Sequence, residues 1–299
     1  MEYEKRVMSG IQPTGDIHIG NYLGAIRQWI ELTRDHKCFY VIVDYHAITI
    51  EYDVAAFRGN VFRAALVNAA CGLMPGTCLM FAQSQVPEHT ELCWVLNSCT
   101  MVGRLTNMTQ FKDKSQQHSD NINAGLLVYP VLQAADILVY KAAMVPVGED
   151  QLQHLELTRE VAKRFNQRFG ETFPMASACG KSVRIMGLDG ESKMSKSKGN
   201  YIGILDPPDV VWEKLRPAKT DIKRMRRTDP GNPLVCNIYS LHEHFTPEDK
   251  REELAHGCRN AGIGCIQCKK VLAGTISATL APIQDRYQDL SAHPDLIRD

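Results

Sequence analysis

The stretch "RVMSGIQPTGDIHIGNYLGAIRQWIELT", residues 6–33, decides the fold. Its first six residues, "RVMSGI", form a short apolar run closed by turn-forming residues, which predicts a buried strand. From 19 to 33 the residues Ile19, Leu23, Ile26 and Ile30 recur along one helical face. A second apolar run, "CFYVIV" at 38–43, comes next. Strand, helix and strand in that order predict a right-handed βαβ unit, hence an open parallel sheet of the α/β class. The runs "CLMFAQ" at 78–83 and "MVPVG" at 144–148 predict two more buried strands. A helix is predicted over 150–165, where the acidic "GED" suits a helix N-terminus and Leu152, Leu155, Leu157 and Val161 continue the apolar face. Beyond about 205 the character changes. Prolines at 207, 208, 217, 230 and 233, basic residues and helix-favouring stretches such as 247–256 predict a smaller, mostly helical domain.

The 299 residues, 44% hydrophobic and 23% charged, fit a globular chain of one large or two ordinary domains and exclude disordered and collagen-like classes. The opening "MEYEKRVMSG" lacks an apolar core of signal-peptide length, and no apolar run approaches the ~18 residues that span a bilayer, so a cytoplasmic protein with no membrane partner is expected. Thirty-four basic residues balance thirty-four acidic ones, so any nucleic-acid contact needs a local patch. The stretch 214–227, "KLRPAKTDIKRMRR", supplies one: Lys214, Arg216, Lys219, Lys223, Arg224, Arg226 and Arg227 oppose only Asp221. It reads equally as a solvated helix face.

The turn between the first strand and helix carries Gly10, Gly15 and Gly20, which permit tight turns and close backbone approach, and the helix start offers unpaired N–H groups that suit phosphate. The spacing is neither that of a Walker loop nor GxGxxG. His18 and Asn21 set an imidazole and a carboxamide at that helix start. Residues 191–200, "ESKMSKSKGN", hold three lysines and three serines. Taken alone they read as a solvated loop or as a mobile arm that handles phosphate.

Together these segments carry a resemblance. "IHIGN" is similar to the HIGH signature, and "KMSKS" at 193–197 matches the second signature, of class I aminoacyl-tRNA synthetases. "SGIQPTGDIHIGNYLGAI", "DYHAIT", "YPVLQAADILVY" and "VPVGEDQLQHLELTREVAKRFN" resemble the tryptophanyl-tRNA synthetase family over nearly the whole chain. The resemblance implies a Rossmann-like catalytic domain over 1–190 with a dimer-forming insertion at about 61–125. It also implies a KMSKS loop and junction at 191–204, and a helical anticodon-side domain over 205–299. The implied activity is activation of L-tryptophan by ATP and Mg2+ to tryptophanyl-adenylate and pyrophosphate, then transfer to tRNA(Trp), by a homodimer.

By the same resemblance Gln12, Pro13, Thr14, Gly20, Asn21, Gly148, Glu149, Asp150 and Ile185 hold ATP. Lys193, Met194, Ser195, Lys196 and Ser197 close over its phosphates as a mobile loop. His18, Lys193 and Lys196 are the catalytic residues, His18 at the α-phosphate and the lysines at the β- and γ-phosphates. Lys112 and Lys114 are candidates for a further phosphate contact. Asp136 is the specificity residue, accepting the indole N–H, and physics agrees: a carboxylate among Ala134, Ala135, Ile137 and Leu138 needs a donor, worth about 1.5–3 kcal/mol. Met8, His46, Tyr129, Gln133, Val145, Val147 and Gln151 complete the amino-acid pocket, Gln133 standing where many family members have methionine. Two rival readings are a tyrosyl-tRNA synthetase and another adenylyl transferase of the HIGH superfamily. A non-catalytic nucleic-acid or redox-sensing relative is opposed by intact His18, Lys193 and Lys196.

Ten cysteines in a chain with no export signal argue for free thiols, and Cys38, Cys71, Cys78, Cys93, Cys99 and Cys179 read as small buried hydrophobes. Cys236, Cys258, Cys265 and Cys268 differ, with the spacing C-x21-C-x6-C-x2-C. Four thiolates hold either a zinc ion or a [4Fe–4S] cluster, and four free thiols are the plain alternative. Gly257, Gly262 and Gly264 are expected to supply the turns, and Lys269 and Lys270 to offset the charge. A subset of bacterial tryptophanyl-tRNA synthetases has a closely similar pattern that binds [4Fe–4S], so the resemblance implies iron–sulfur, with Zn2+ the alternative.

Overall fold

Strand β1 (Arg6–Ile11) pairs in parallel with β2 (Lys37–Ile42), from Arg6 opposite Lys37 to Ile11 opposite Ile42, as the alternation of apolar run, helix and apolar run requires. The computed structural model describes residues 5–13, 15–117, 119–180 and 183–298. In it the chain divides into two units, one made of Met1–Gly15 and Arg27–Ser182, the other of Asp16–Ile26 and Val183–Asp299.

The first unit is built on five parallel strands in the order β3-β2-β1-β4-β5, where β3 is Leu79–Ala82, β4 Met144–Pro146 and β5 Ser177–Cys179. The order reverses at β1, and ligands of such sheets bind at the carboxyl ends of the strands that flank the reversal. Strand β5 lies in "MASACG", which has no apolar run, and forms because its backbone completes the pairing of β4.

Helix Ala124–Val139 starts at Asn123, whose side chain accepts from the Leu126 N–H, and buries most of its length. Its Val131, Ala134, Ala135 and Leu138 pack on Leu157, Val161 and Ala162 of helix Leu152–Phe169, which begins two residues later than predicted, after a 3-10 turn at Glu149–Gln151. Leu138 and Leu157 are almost fully buried, so truncating either to alanine costs about 2–5 kcal/mol. A second cluster joins Met8, Phe39, Val41, Ile137 and Val145, with Val147 packed against it.

The stretch predicted as one helix over 19–33 is an α-turn (Ile19–Asn21), a π-helical segment (Tyr22–Ile26) and an α-helix (Arg27–Leu32). Single π-turns of this kind recur at functional sites. In the second unit the helices Pro208–Leu215, Asn237–Phe245, Glu248–Arg259 and Cys265–Ala292 form the helical region expected after 205. Leu272, Ile276, Leu280 and Ile283 of the longest are buried at helical spacing. Among the described residues, no helix is long and apolar enough to cross a membrane.

Candidate active site

In the sheet unit the site is organised around Asp136, which is 1% exposed. Its Oδ1 accepts from Gln83 Nε2 at 2.7 Å and from His89 Nδ1 at 2.6 Å, and Oδ2 lies 2.7 Å from His46 Nε2. Burial pushes this carboxyl up, but the attraction of His46 and the hydrogen bonds from His46 and His89 outweigh it, so the net shift is downward. The ring of Tyr129 stands edge-on to His46 at 6.1 Å. Its hydroxyl donates to Gln110 Oε1 and lies 3.0 Å from His154 Nε2, while Gln110 also donates to the Asp150 carbonyl. Lys114 Nζ sits 4.3 Å from the centre of the Tyr129 ring, whereas Lys112 points to solvent. Gln133 donates to Gln151, and Gln151 to Asp150.

Thus Met8, Val145 and Val147 share one apolar cluster, His46, Asp136 and Tyr129 share one polar cluster, and Ile137 and Asp136 attach both to the same helix. Gln12, Pro13, Gly148, Glu149 and Asp150 belong to the same unit, and Thr14 lies outside the described residues. Sequence reasoning missed Gln83, His89, Gln110 and His154. The demand of a buried carboxylate for several donors was the available signal; it does not say which residues meet it.

The two signatures meet inside the second unit. His18 bridges Gly203 in antiparallel pairing, and the Ile19 N–H donates to the Ile202 carbonyl at 2.9 Å. A Cβ on Gly20 would lie 2.8 Å from His18 Nδ1 and 3.4 Å from Met194 Cβ, so the glycine is what lets the imidazole lie along the helix start beside the KMSKS segment. Asn21 uses its carboxamide to accept from the His18 backbone N–H. His18 is 8% exposed, and its Nδ1 has no partner among the described residues. Desolvation, helped by nearby Lys193, lowers its pKa to about 4, so the ring is neutral at pH 7.

In the KMSKS segment Met194 is buried and bonded to Ile185, while Lys193, Lys196 and Ser197 project into solvent. Asn200 organises the loop: its Oδ1 accepts from the Ser195 N–H, and its Nδ2 donates to Asp189, Ser192 Oγ and the Lys193 carbonyl. Asp189 also accepts from the Glu191 and Ser192 N–H groups, and these bonds, led by Glu191, hold its carboxyl well below the usual range.

Cys236, Cys258, Cys265 and Cys268 line one cavity with Arg224, Ile238, Leu254 and Ile263. Arg224, anchored on the Ile263 and Arg227 carbonyls, points Nη1 to within 3.8 Å of both Cys258 Sγ and Cys265 Sγ. A Cβ on Gly231 would lie 2.6 Å from Cys258 Sγ, so only glycine admits that thiol. Burial, then mutual repulsion, pushes the Cys268 thiol up to about 12. The Gly262 N–H closes a turn on the Gly257 carbonyl at 2.7 Å. The positive φ in this loop falls on Ala261, and Lys269, whose Nζ donates to the Arg216 and Ala218 carbonyls, is lowered by burial while Cys265, Cys236 and Cys268 attract its charge. Among the described residues no three His, Cys, Asp or Glu side chains gather as the ligands of a single metal ion. Of the other six cysteines, Cys38, Cys71 and Cys93 are buried and Cys78, Cys99 and Cys179 only partly so.

Within the basic stretch several cations are already engaged, Lys214 with Asp206, Arg216 with Glu213 and Lys219 with Glu191. Lys223, Arg226 and Arg227 are exposed beside exposed Ile222 and Met225.

The family model described as tRNA synthetases class I (W and Y) matches residues 2–281. The tryptophan–tRNA ligase of Deinococcus radiodurans is 52% identical, over 98% of this chain and 91% of its own. That of Parasynechococcus marenigrum is 45% identical, over 96% and 88%. Among solved structures, tryptophanyl-tRNA synthetase from Campylobacter jejuni complexed with ADP and tryptophan superposes with a TM-score of 0.87 at 34% identity, covering 98% of this chain and 91% of that one.

Proposed function

Because this chain belongs to the class I tRNA synthetases of the tryptophan and tyrosine group, we propose that it activates L-tryptophan with ATP and transfers it to tRNA(Trp). The observation that carries the choice of amino acid is Asp136, a buried, ionised carboxylate whose three protein donors leave one acceptor site unfilled. That site takes the indole N–H. Met8, Val145 and Val147 supply apolar wall, His46 orients the carboxylate, and Tyr129, Gln133 and Gln151 border the amino-acid side.

Chemistry begins when the tryptophan carboxylate attacks the α-phosphorus of ATP and pyrophosphate leaves. Negative charge gathers on the phosphate oxygens, so the protein acts by positioning and electrostatics. Neutral His18, with its unpartnered Nδ1, hydrogen-bonds the α-phosphate, and Lys193 and Lys196 hold the β- and γ-phosphates. Met194, Ser195 and Ser197 shape the loop that presents them. Gln12, Pro13, Thr14, Gly20, Asn21, Gly148, Glu149, Asp150 and Ile185 hold the nucleotide. Mg2+ neutralises the triphosphate and is carried by it, since magnesium favours substrate phosphates over an all-protein cage.

Residues 205–299 serve the anticodon side, with Lys223, Arg226 and Arg227 facing RNA phosphates. The four cysteines fit a [4Fe–4S] cluster: the Cys268 thiol, pushed so high, needs a cation to ionise, Arg224 would offset the remaining charge, and Gly231 leaves room for the Cys258 sulfur. Zn2+ requires the four sulfurs to close to ~3.8 Å from one another at Zn–S distances near 2.3 Å. The cluster supplies structure, since adenylation needs no electrons. Exposed Trp94, Met101 and Val102 in the 61–125 segment form the contact of a homodimer.

The deciding experiment is ATP–pyrophosphate exchange with each amino acid in turn. Exchange with tryptophan alone is expected, and exchange with tyrosine alone would transfer the chain to the tyrosine branch.

A further inference from the structure

We propose that His89 and Gln83 are positioning residues for amino-acid selection, locking Asp136 so that its one open acceptor site lies on Oδ2 and takes only a ring that carries an N–H. This rests on the reading of Asp136 given above.

The bookkeeping of donors carries it. Each carboxylate oxygen has two acceptor positions. On Oδ1 both are taken, by Gln83 Nε2 at 2.7 Å and His89 Nδ1 at 2.6 Å. On Oδ2 one is taken, by His46 at 2.7 Å. Gln83 and His89 are both 0% exposed, so water replaces neither. Since Nδ1 faces a carboxylate it must carry the proton, and Nε2 at the far side of the ring lies 2.7 Å from the Tyr140 hydroxyl. Held at both nitrogens, the His89 ring is fixed with its Nδ1 on Asp136.

The arrangement also blocks the ways a lone buried carboxylate loses selectivity. Rotation would break two short hydrogen bonds, and protonation would turn an oxygen into a donor; the donors oppose both, in line with the downward shift of this carboxyl. A ring without N–H leaves the open site of Oδ2 buried and unpaired, which is the kind of mismatch that binding sites reject most strongly.

The test compares dissociation constants for L-tryptophan and for 3-benzothienylalanine, in which sulfur replaces the ring N–H, by calorimetry on the full chain. The wild type is expected to prefer tryptophan about 10–100-fold. His89→Leu should reduce that ratio at least about fivefold, and His89→Asn, whose amide nitrogen can stand at the Nδ1 position, should restore most of it. Gln83→Met, which removes the other Oδ1 donor, should reduce the ratio likewise and serves if His89→Leu does not fold. A folded His89→Leu or Gln83→Met that weakens both ligands equally overturns the positioning role. A wild type that does not distinguish the two ligands overturns the reading of Asp136 itself.

Discussion

Asn200 Nδ2 donates to Asp189 Oδ2 across 2.8 Å and thereby ties together the two ends of the segment that carries Lys193 and Lys196. Replacing Asn200 by Asp keeps its size, removes the donor and sets two carboxylates face to face. We expect Asn200→Asp to slow tryptophan-dependent pyrophosphate exchange by about tenfold or more while leaving the affinity for tryptophan within about twofold. Equal losses in both would place the damage in the fold and not in the loop.

Asp136→Ala removes the acceptor and leaves His46, His89 and Gln83 without their shared partner. Breaking such a buried charged cluster costs about 3–5 kcal/mol of stability. Activity should fall together with the preference for tryptophan over phenylalanine. A variant that retains the wild-type preference would remove Asp136 from the specificity role.

Acid should destabilise the fold above the range in which carboxylates titrate. His18 and His154 are lowered from 6.5 to about 4, in both cases first by burial. Between those values the unfolded chain binds protons that the native histidines refuse, so their contribution to stability is complete above pH 6.5 and declines as pH falls toward 4. The decline is about 1.4 kcal/mol per pH unit for each histidine. Urea midpoints at pH 7 and pH 4.5 should show it, and His154→Gln should flatten the slope by about one proton. A midpoint that rises on acidification would contradict the assignment.

Protein purified without oxygen should be brown, with broad absorbance near ~400 nm and about four irons per chain. Cys268→Ala should bleach it. Colourless protein with one zinc per chain would select the zinc alternative, and titration of all four thiols in metal-free protein would exclude both.

Light scattering should give twice the chain mass at micromolar concentration, and Trp94→Asp, which puts a charge on a side chain 80% exposed, should shift it toward the monomer. A monomeric wild type would refute the dimer.

The apolar runs at 6–11 and 38–43 made the centre of the sheet legible, because a strand buried on both faces must be apolar throughout, and the run at 78–83 marked the edge strand Leu79–Ala82 as well. At the opposite edge Ser177–Cys179, under no such obligation, left no trace. That His18 stands beside the 193–197 segment was readable from the paired signatures, whose spacing survives without knowledge of packing. Gln83 and His89 were not, because nothing local joins them to Asp136, 53 and 47 residues away along the chain. The basic run at 214–227 looked uniform in sequence, yet Lys214, Arg216 and Lys219 are spent on nearby carboxylates and Arg224 points at thiols.

The bond from Ile19 to Ile202 sets a schedule for biosynthesis. A ribosome delivers the histidine segment almost first, then takes roughly ten to forty seconds, at 5–20 residues per second, to deliver the segment it pairs with. Through that interval Ile19, fully buried in the finished protein, lacks the Ile202 carbonyl that its N–H will meet. The sheet from β1 to β5 is complete in sequence by Cys179, so the carboxylate cluster around Asp136 can assemble while the chain is still growing. His18 has to wait for Gly203, and a message truncated before that codon is expected to yield a chain that carries both signatures but lacks the residue His18 bridges.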